Sequence, residues 1–145
     1  MGETLSTEQI QVLLDRSPFI KFLNVHVVSV DPEREEIVIQ MPMRPELERR
    51  AGSGQFHGGA IASLIDIVGD YVLVMLLRRP VPTIDFRVDY LRPAIQTQLT
   101  GIGRLRRAGR TIGVVDVDVH DDAGRLIAVG RGCYSTATQE TPREA

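Results

Sequence analysis

Cysteine is almost missing from this sequence. Cys133 stands alone, so neither an intramolecular disulfide nor a multi-cysteine metal site can form. That count suits a cytoplasmic protein. So does the stretch MGETLSTEQIQ, which has neither the basic nor the apolar segment of a signal peptide. Lysine is equally scarce: Lys21 is the only one, and every other basic residue is arginine, whose fork suits phosphate groups. His26, His57 and His120 make no H-x-x-x-H or H-x-H pair, so no metal is expected. A G-x-G-x-x-G motif after a strand is missing, and so is G-x-S-x-G, which Gly52-Ser53-Gly54 resembles only superficially. With a net charge of -2 and a pI near 5.9, nucleic acid and anionic membrane are not expected partners. The longest apolar stretch, 60–77, holds Asp66 and Asp70 in its middle, which argues against a bilayer span and for a protein core or subunit seam.

What is present fits one domain: 145 residues, 43% of them apolar, enough for one substantial core. Ser6 followed by Gln9 predicts a capped helix to about Leu14, with Pro18 closing the region. Strands are predicted over 22–30 and 36–41, separated by Asp31-Pro32, with Ile37, Ile39 and Met41 on one face. The polar loop 43–56 is long for a connector, which favours a functional or interface role.

A helix apolar on nearly every side follows over 59–77; Tyr71, Val72 and Val74 leave one or two buried strands as the rival reading. After Pro80 and Pro82 the pattern alternates: Ile84, Phe86, Val88 and Tyr90 against Asp85, Arg87 and Asp89. Three more strands are expected over 98–106, 110–120 and 125–135, joined by hairpin turns at Ala108-Gly109 and Asp122-Ala123-Gly124. Gly101 and Gly103 are read as relief from crowding against the helix. The expected fold is therefore α+β, an antiparallel sheet wrapped around a long helix and ending in a four-strand meander. A helical lead-in over 1–17, the domain over 18–136 and a frayed polar tail over 137–145 complete the division. The sheet's edge strand and any open face of the helix are natural dimer surfaces.

Several residues have the makings of chemistry. Phe56-His57-Gly58-Gly59 precedes the long helix. Paired glycines there leave N–H groups able to hold a carbonyl oxygen as negative charge grows on it, or simply make a tight turn. His57 either orients that turn, contacts substrate or caps the helix. Asp66 lies among Leu64, Ile65, Ile67 and Val68, and burying a carboxylate is costly without partners. It is read as a nucleophile or general base at a subunit seam, against the plainer reading of an arginine-paired or solvated aspartate. Asp70, one turn on, is expected nearer the exposed end of the run, with a modest mutual shift in pKa. Nine residues at 100° each separate His57 from Asp66 by half a turn of azimuth and over two turns along the axis. Chemistry that uses both ends therefore needs two chains. Arg104, Arg106, Arg107 and Arg110 flank a hairpin turn, either as a solvated turn or as a clamp for the phosphates of a nucleotide tail.

Three segments carry a resemblance. They are His57-Gly58-Gly59-Ala60-Ile61-Ala62-Ser63-Leu64-Ile65-Asp66, the strand running from Thr83 through Asp85-Phe86-Arg87-Val88-Asp89-Tyr90-Leu91-Arg92-Pro93 to Ala94, and Asp121 to Gly132. Together, over roughly 18–136, the chain resembles the hot-dog thioesterases, in the branch of the phenylacetate-degradation thioesterase and thioesterase-superfamily member 2. The resemblance implies acyl-CoA hydrolysis, with CoA as part of the substrate and no separate cofactor. It implies Asp66 as base or nucleophile, the Gly58 N–H polarising the carbonyl, His57 organising the turn and Thr83 holding the attacking water. It also implies a homodimer, paired into a dimer of dimers. The family's asparagine six residues before the histidine is replaced here by Ala51. An enoyl-CoA hydratase-like enzyme on the same fold and a non-catalytic acyl-CoA binding module are the alternatives.

Overall fold

A computed structural model describes residues 4–138. Ser6 opens the first helix, α1 (Thr7–Asp15), through a reciprocal capping box with Gln9, which satisfies two otherwise orphaned N–H groups. Pro18 does not close this region as expected but begins a second helix, α2 (Pro18–Leu23). The reason is local: the Ser17 hydroxyl accepts from Ile20 N–H at 3.3 Å, and proline at the first helical position loses no needed donor. Asn24, in the left-handed region, ends α2. Phe22 and Leu23 are thus helical, and β1 starts later, at His26–Asp31.

β2 (Glu36–Met41) follows, then a single 3-10 turn at Pro45–Leu47, the long helix α3 (Gly58–Leu77), β3 (Thr83–Tyr90), β4 (Leu99–Ala108), β5 (Ile112–His120) and β6 (Leu126–Ser135). All six strands form one antiparallel sheet in the order β1-β2-β4-β5-β6-β3. The sheet wraps α3, which packs against β2, β3, β4, β5 and β6. This is the α+β hot-dog arrangement. The four-strand meander is not formed: only β4, β5 and β6 run consecutively, while β3 lies at the far edge beside β6. Alternation along β3 indicated a strand but not its neighbour, and segment 91–98, with Pro93, is too long for a two-residue hairpin.

Ile37, Ile39 and Met41 of β2 and Val115, Val117 and Val119 of β5 are buried against Leu64, Val68 and Val72 of α3, each fully buried side chain contributing about 1.5–3 kcal/mol of transfer free energy. Gly101 and Gly103 let the helix approach. A Cβ at Gly103 would stand 2.8 Å from Val68 Cγ1 and Val72 Cγ2. The helix is long and apolar enough by composition to cross a membrane, but here it is the core helix of the domain. Nor is it enclosed on every side: Ala62, Ser63, Asp66 and Asp70 form a half-buried stripe along it, continuing from the exposed Gly59. β3 is exposed along nearly its whole length. Of the expected tail, only residues 137 and 138 lie within the described part.

Candidate active site

The turn before α3 is held from both sides. His57 N–H donates to Leu47 O at 2.8 Å and Phe56 N–H to Ala94 O at 3.0 Å. The His57 side chain caps the helix, its Nδ1 accepting from Gly59 N–H at 2.8 Å. That nitrogen is committed to the backbone as an acceptor. Gly58 N–H has no hydrogen-bond partner among the described residues. It stands at the positive end of a 20-residue helix. Tyr90 of β3 donates from its hydroxyl to Gly58 O at 2.7 Å, fixing the peptide that follows this N–H. Tyr90 went unremarked as a site residue in the sequence, where it is one member of an alternating strand; only the approach of β3 to the helix start gives it this place.

A cleft of about 700 Å³ opens beside the turn, lined by Arg49, Gln55, Gly58, Gly59, Tyr90 and Arg92 among others. Gln55 shares this cleft, whereas Ser53 and Arg50 line a neighbouring one with it, and Ala51 is exposed. The four arginines Arg104, Arg106, Arg107 and Arg110 are not brought here. All are exposed at the β4–β5 hairpin. Arg104 donates to Glu36 at 2.6 Å and Arg106 pairs with Asp116 at 3.5 Å. The arginines beside the turn are instead Arg49 and Arg92, separated in sequence and united only by folding.

Asp66 is half-buried on the open stripe of α3 and accepts a hydrogen bond from the Thr83 hydroxyl at 2.8 Å. Burial raises its pKa, and the Thr83 hydrogen bond opposes that rise. Thr83, first residue of β3, is brought to the helix because a bulge between Thr83 and Asp85 re-aims the strand's start. Tyr134 of β6 is fully buried, and its hydroxyl donates to the Asp66 carbonyl at 3.2 Å. Gly69 and Gly132 make room for that ring: a Cβ at either would fall within 2.3 Å of its hydroxyl oxygen. Asp70 departs from expectation. It is the more buried of the two aspartates, and burial first, then the Asp66 charge, push its carboxyl to about 7. One of its oxygens is buried with no partner. It faces a cleft walled also by α1 and the segment after α3, so its position late in the apolar run did not expose it.

Gly58 and Asp66 are eight residues apart, about 12 Å along one helix. One chain cannot bring that N–H and that carboxylate to a single carbonyl carbon. Among the described residues no group of three or more His, Cys, Asp or Glu side chains is arranged to hold a metal. What the chain offers is a polarising N–H at one place and a held carboxylate at another.

The family model of the thioesterase superfamily matches residues 53–128, which spans the turn, the helix and strands β3 to β5. The chain belongs to the thioesterase superfamily. A putative esterase of Halobacterium salinarum is 34% identical over 136 residues, covering 86% of this chain and 88% of the relative. The medium/long-chain acyl-CoA thioesterase YigI of Escherichia coli K12 is 27% identical over 154 residues, covering 92% of this chain and 98% of that one. The crystal structure of zebra fish thioesterase superfamily member 2 superposes with a TM-score of 0.82 at 27% identity, over 92% of this chain and all of that one. The member described here is thus a thioesterase-superfamily enzyme, and its candidate machinery is the Gly58 turn and the Asp66–Thr83 pair.

Proposed function

We propose that the protein hydrolyses acyl-CoA thioesters to the free acid and CoA at a site shared between two subunits. The thioester carbonyl oxygen accepts a hydrogen bond from Gly58 N–H of one subunit, at the positive end of α3. Asp66 of the other subunit takes a proton from water as that water attacks the carbonyl carbon, or itself attacks to give an anhydride that water then cleaves; the CoA thiolate leaves in either route. Thr83 has a refined part. Its single hydroxyl proton is given to Asp66 Oδ1, so it fixes the carboxylate and can hold a water only by accepting from it.

The observation that carries this reading is the Asp66–Thr83 pair on the half-open stripe of the core helix. The acyl-CoA substrate is supported by relatives named as acyl-CoA thioesterases. The dimer is supported by the 12 Å argument above and by β3, an edge strand on which Ile84, Phe86 and Tyr90 are exposed, since an apolar edge of this kind is ordinarily covered. The pairing of two dimers rests on the family resemblance, and the cytoplasm is the proposed location, supported by the lone Cys133. A hydratase would need an imidazole and a carboxylate on one substrate carbon; His57 Nδ1 is already committed to Gly59 N–H. Ala51 in the place of the family asparagine favours a non-catalytic binding module as the second reading. Asp66→Asn decides between them: across a panel of acyl-CoA chain lengths, kcat is expected to fall by about a hundredfold or more with CoA affinity retained. An unchanged kcat, or a wild-type protein that binds acyl-CoA and hydrolyses none, rejects the assignment.

A further inference from the structure

The cleft beside the Gly58 turn has a neighbour of about 500 Å³, lined by Arg49, Arg50, Ser53 and Gln55. Arg49 and Gln55 are walls of both. The first cleft holds Gly58 and Arg92, the second holds Arg50, and Arg49 is shared between them. All three arginines are exposed. Among the described residues no aspartate or glutamate lines either cleft.

That imbalance is unusual in this molecule. Arg87, Arg104, Arg106, Arg125 and Arg131 each stand 2.6–3.5 Å from a carboxylate. Arg49, Arg50 and Arg92 pair with no carboxylate among the described residues, and Arg92 makes only a long hydrogen bond to Leu126 O at 3.4 Å. Arg107 and Arg110 are also without a carboxylate, but they line neither cleft. The acid next to Arg49 in sequence is engaged elsewhere: Glu48 Oε2 accepts from Gly54 N–H at 3.1 Å. Backbone bonds hold the loop that carries Arg49 and Arg50. Arg49 N–H donates to Gln55 O at 2.8 Å, and Gln96 N–H to Gly54 O at 2.9 Å, which ties the loop to the segment following Arg92. Like charges gathered without a counter-charge repel one another. A ligand with several anionic groups relieves that repulsion, and guanidinium forks match phosphate oxygens in pairs.

We infer that Arg49, Arg50 and Arg92 bind the phosphate groups of the CoA nucleotide, so that the enzyme selects its substrate by the carrier as well as by the thioester. The inference rests on the reading of Gly58 N–H as the donor to the thioester carbonyl. With the carbonyl there, the pantetheine arm begins in the cleft that holds Arg92 and Arg49, and the nucleotide lies toward Arg50.

The test compares kcat/KM for hexanoyl-CoA and hexanoyl-pantetheine, which share the thioester and the arm and differ in the phosphorylated nucleotide. The wild-type protein is expected to favour the CoA ester by about tenfold or more, through KM. Arg49→Gln, Arg50→Gln and Arg92→Gln combined are expected to cut that preference at least about fivefold, and Arg49→Gln alone at least about twofold. If the triple variant fails to give a folded protein by thermal melt, the single variant decides on the same ratio. A wild-type ratio near one, or a ratio unmoved by these substitutions while both thioesters are still hydrolysed, overturns this inference alone. So does a preference that falls only when Arg107 and Arg110 are replaced. A wild-type protein that hydrolyses neither thioester, nor any other acyl-CoA, overturns the proposed function and this inference with it.

Discussion

Asp66 and Asp70 are one turn apart on the same helix and are set up differently. Asp66 has a hydroxyl donor in Thr83; Asp70 has a buried oxygen with none. Removing the donor should be visible in a pH profile. Because the Thr83 hydrogen bond lowers the Asp66 pKa against the pull of burial, Thr83→Ala is expected to move the acid limb of kcat/KM to higher pH and to lower kcat about tenfold. A limb that stays in place would remove Thr83 from the site.

Asp70 makes a second prediction, in stability. Its carboxyl stands at about 7 in the folded chain against an ordinary 3.8, so the native state holds the proton more tightly than the unfolded one. The group then costs nothing well below pH 4, costs progressively more as pH rises toward about 7, and stays at that cost above it. Asp70→Asn is expected to flatten this slope, with a gain of about 1–3 kcal/mol near pH 8 in urea unfolding; parallel pH slopes in the two proteins would contradict it. Asp66 was legible in the sequence because a carboxylate in so apolar a run needs a reason. Asp70 was misplaced because it faces a cleft that α1 and the segment after α3 wall off, an arrangement that no local pattern announces.

Among the elements, α3 and β4 show how tightly the sequence constrains packing. Gly101 and Gly103 alternate on the face of β4 that meets Val68, and the sequence reading of them as relief from crowding agrees with the Cβ positions. Gly103→Ala would set a methyl 3.2 Å from Val68 O as well as against two valine side chains. A loss of about 1–3 kcal/mol in urea unfolding is expected; a neutral change would mean the helix can withdraw freely. The elements with strong periodicity or caps were legible: the Ser6 capping box, the alternating β2, the long α3. Less legible was α2, whose Ser17-Pro18 start reads equally as a helix stop, and the neighbour of β3, because alternation reports a strand's faces and says nothing of its edges. The bulge that aims Thr83 at Asp66 lies in that same edge strand, so the pair could be anticipated by resemblance but not from spacing.

At the scale of the whole molecule, the features that one chain leaves unfinished are β3, with its exposed apolar side chains, the half-open stripe of α3, and Gly58 N–H. The proposed chemistry requires two chains, and these are the surfaces it would join. The decisive measurement mixes two inactive proteins. Gly58→Pro removes the N–H at a first helical position that proline tolerates, after a residue whose extended backbone suits it; Asp66→Asn removes the carboxylate. Each homodimer is expected to be inactive. Coexpressed in equal amounts, half of the dimers are mixed, and one of the two sites in each pairs an intact Gly58 with an intact Asp66, so about a quarter of wild-type activity should return. No recovery, in mixtures shown to contain mixed dimers, would mean that the two groups do not act across the interface.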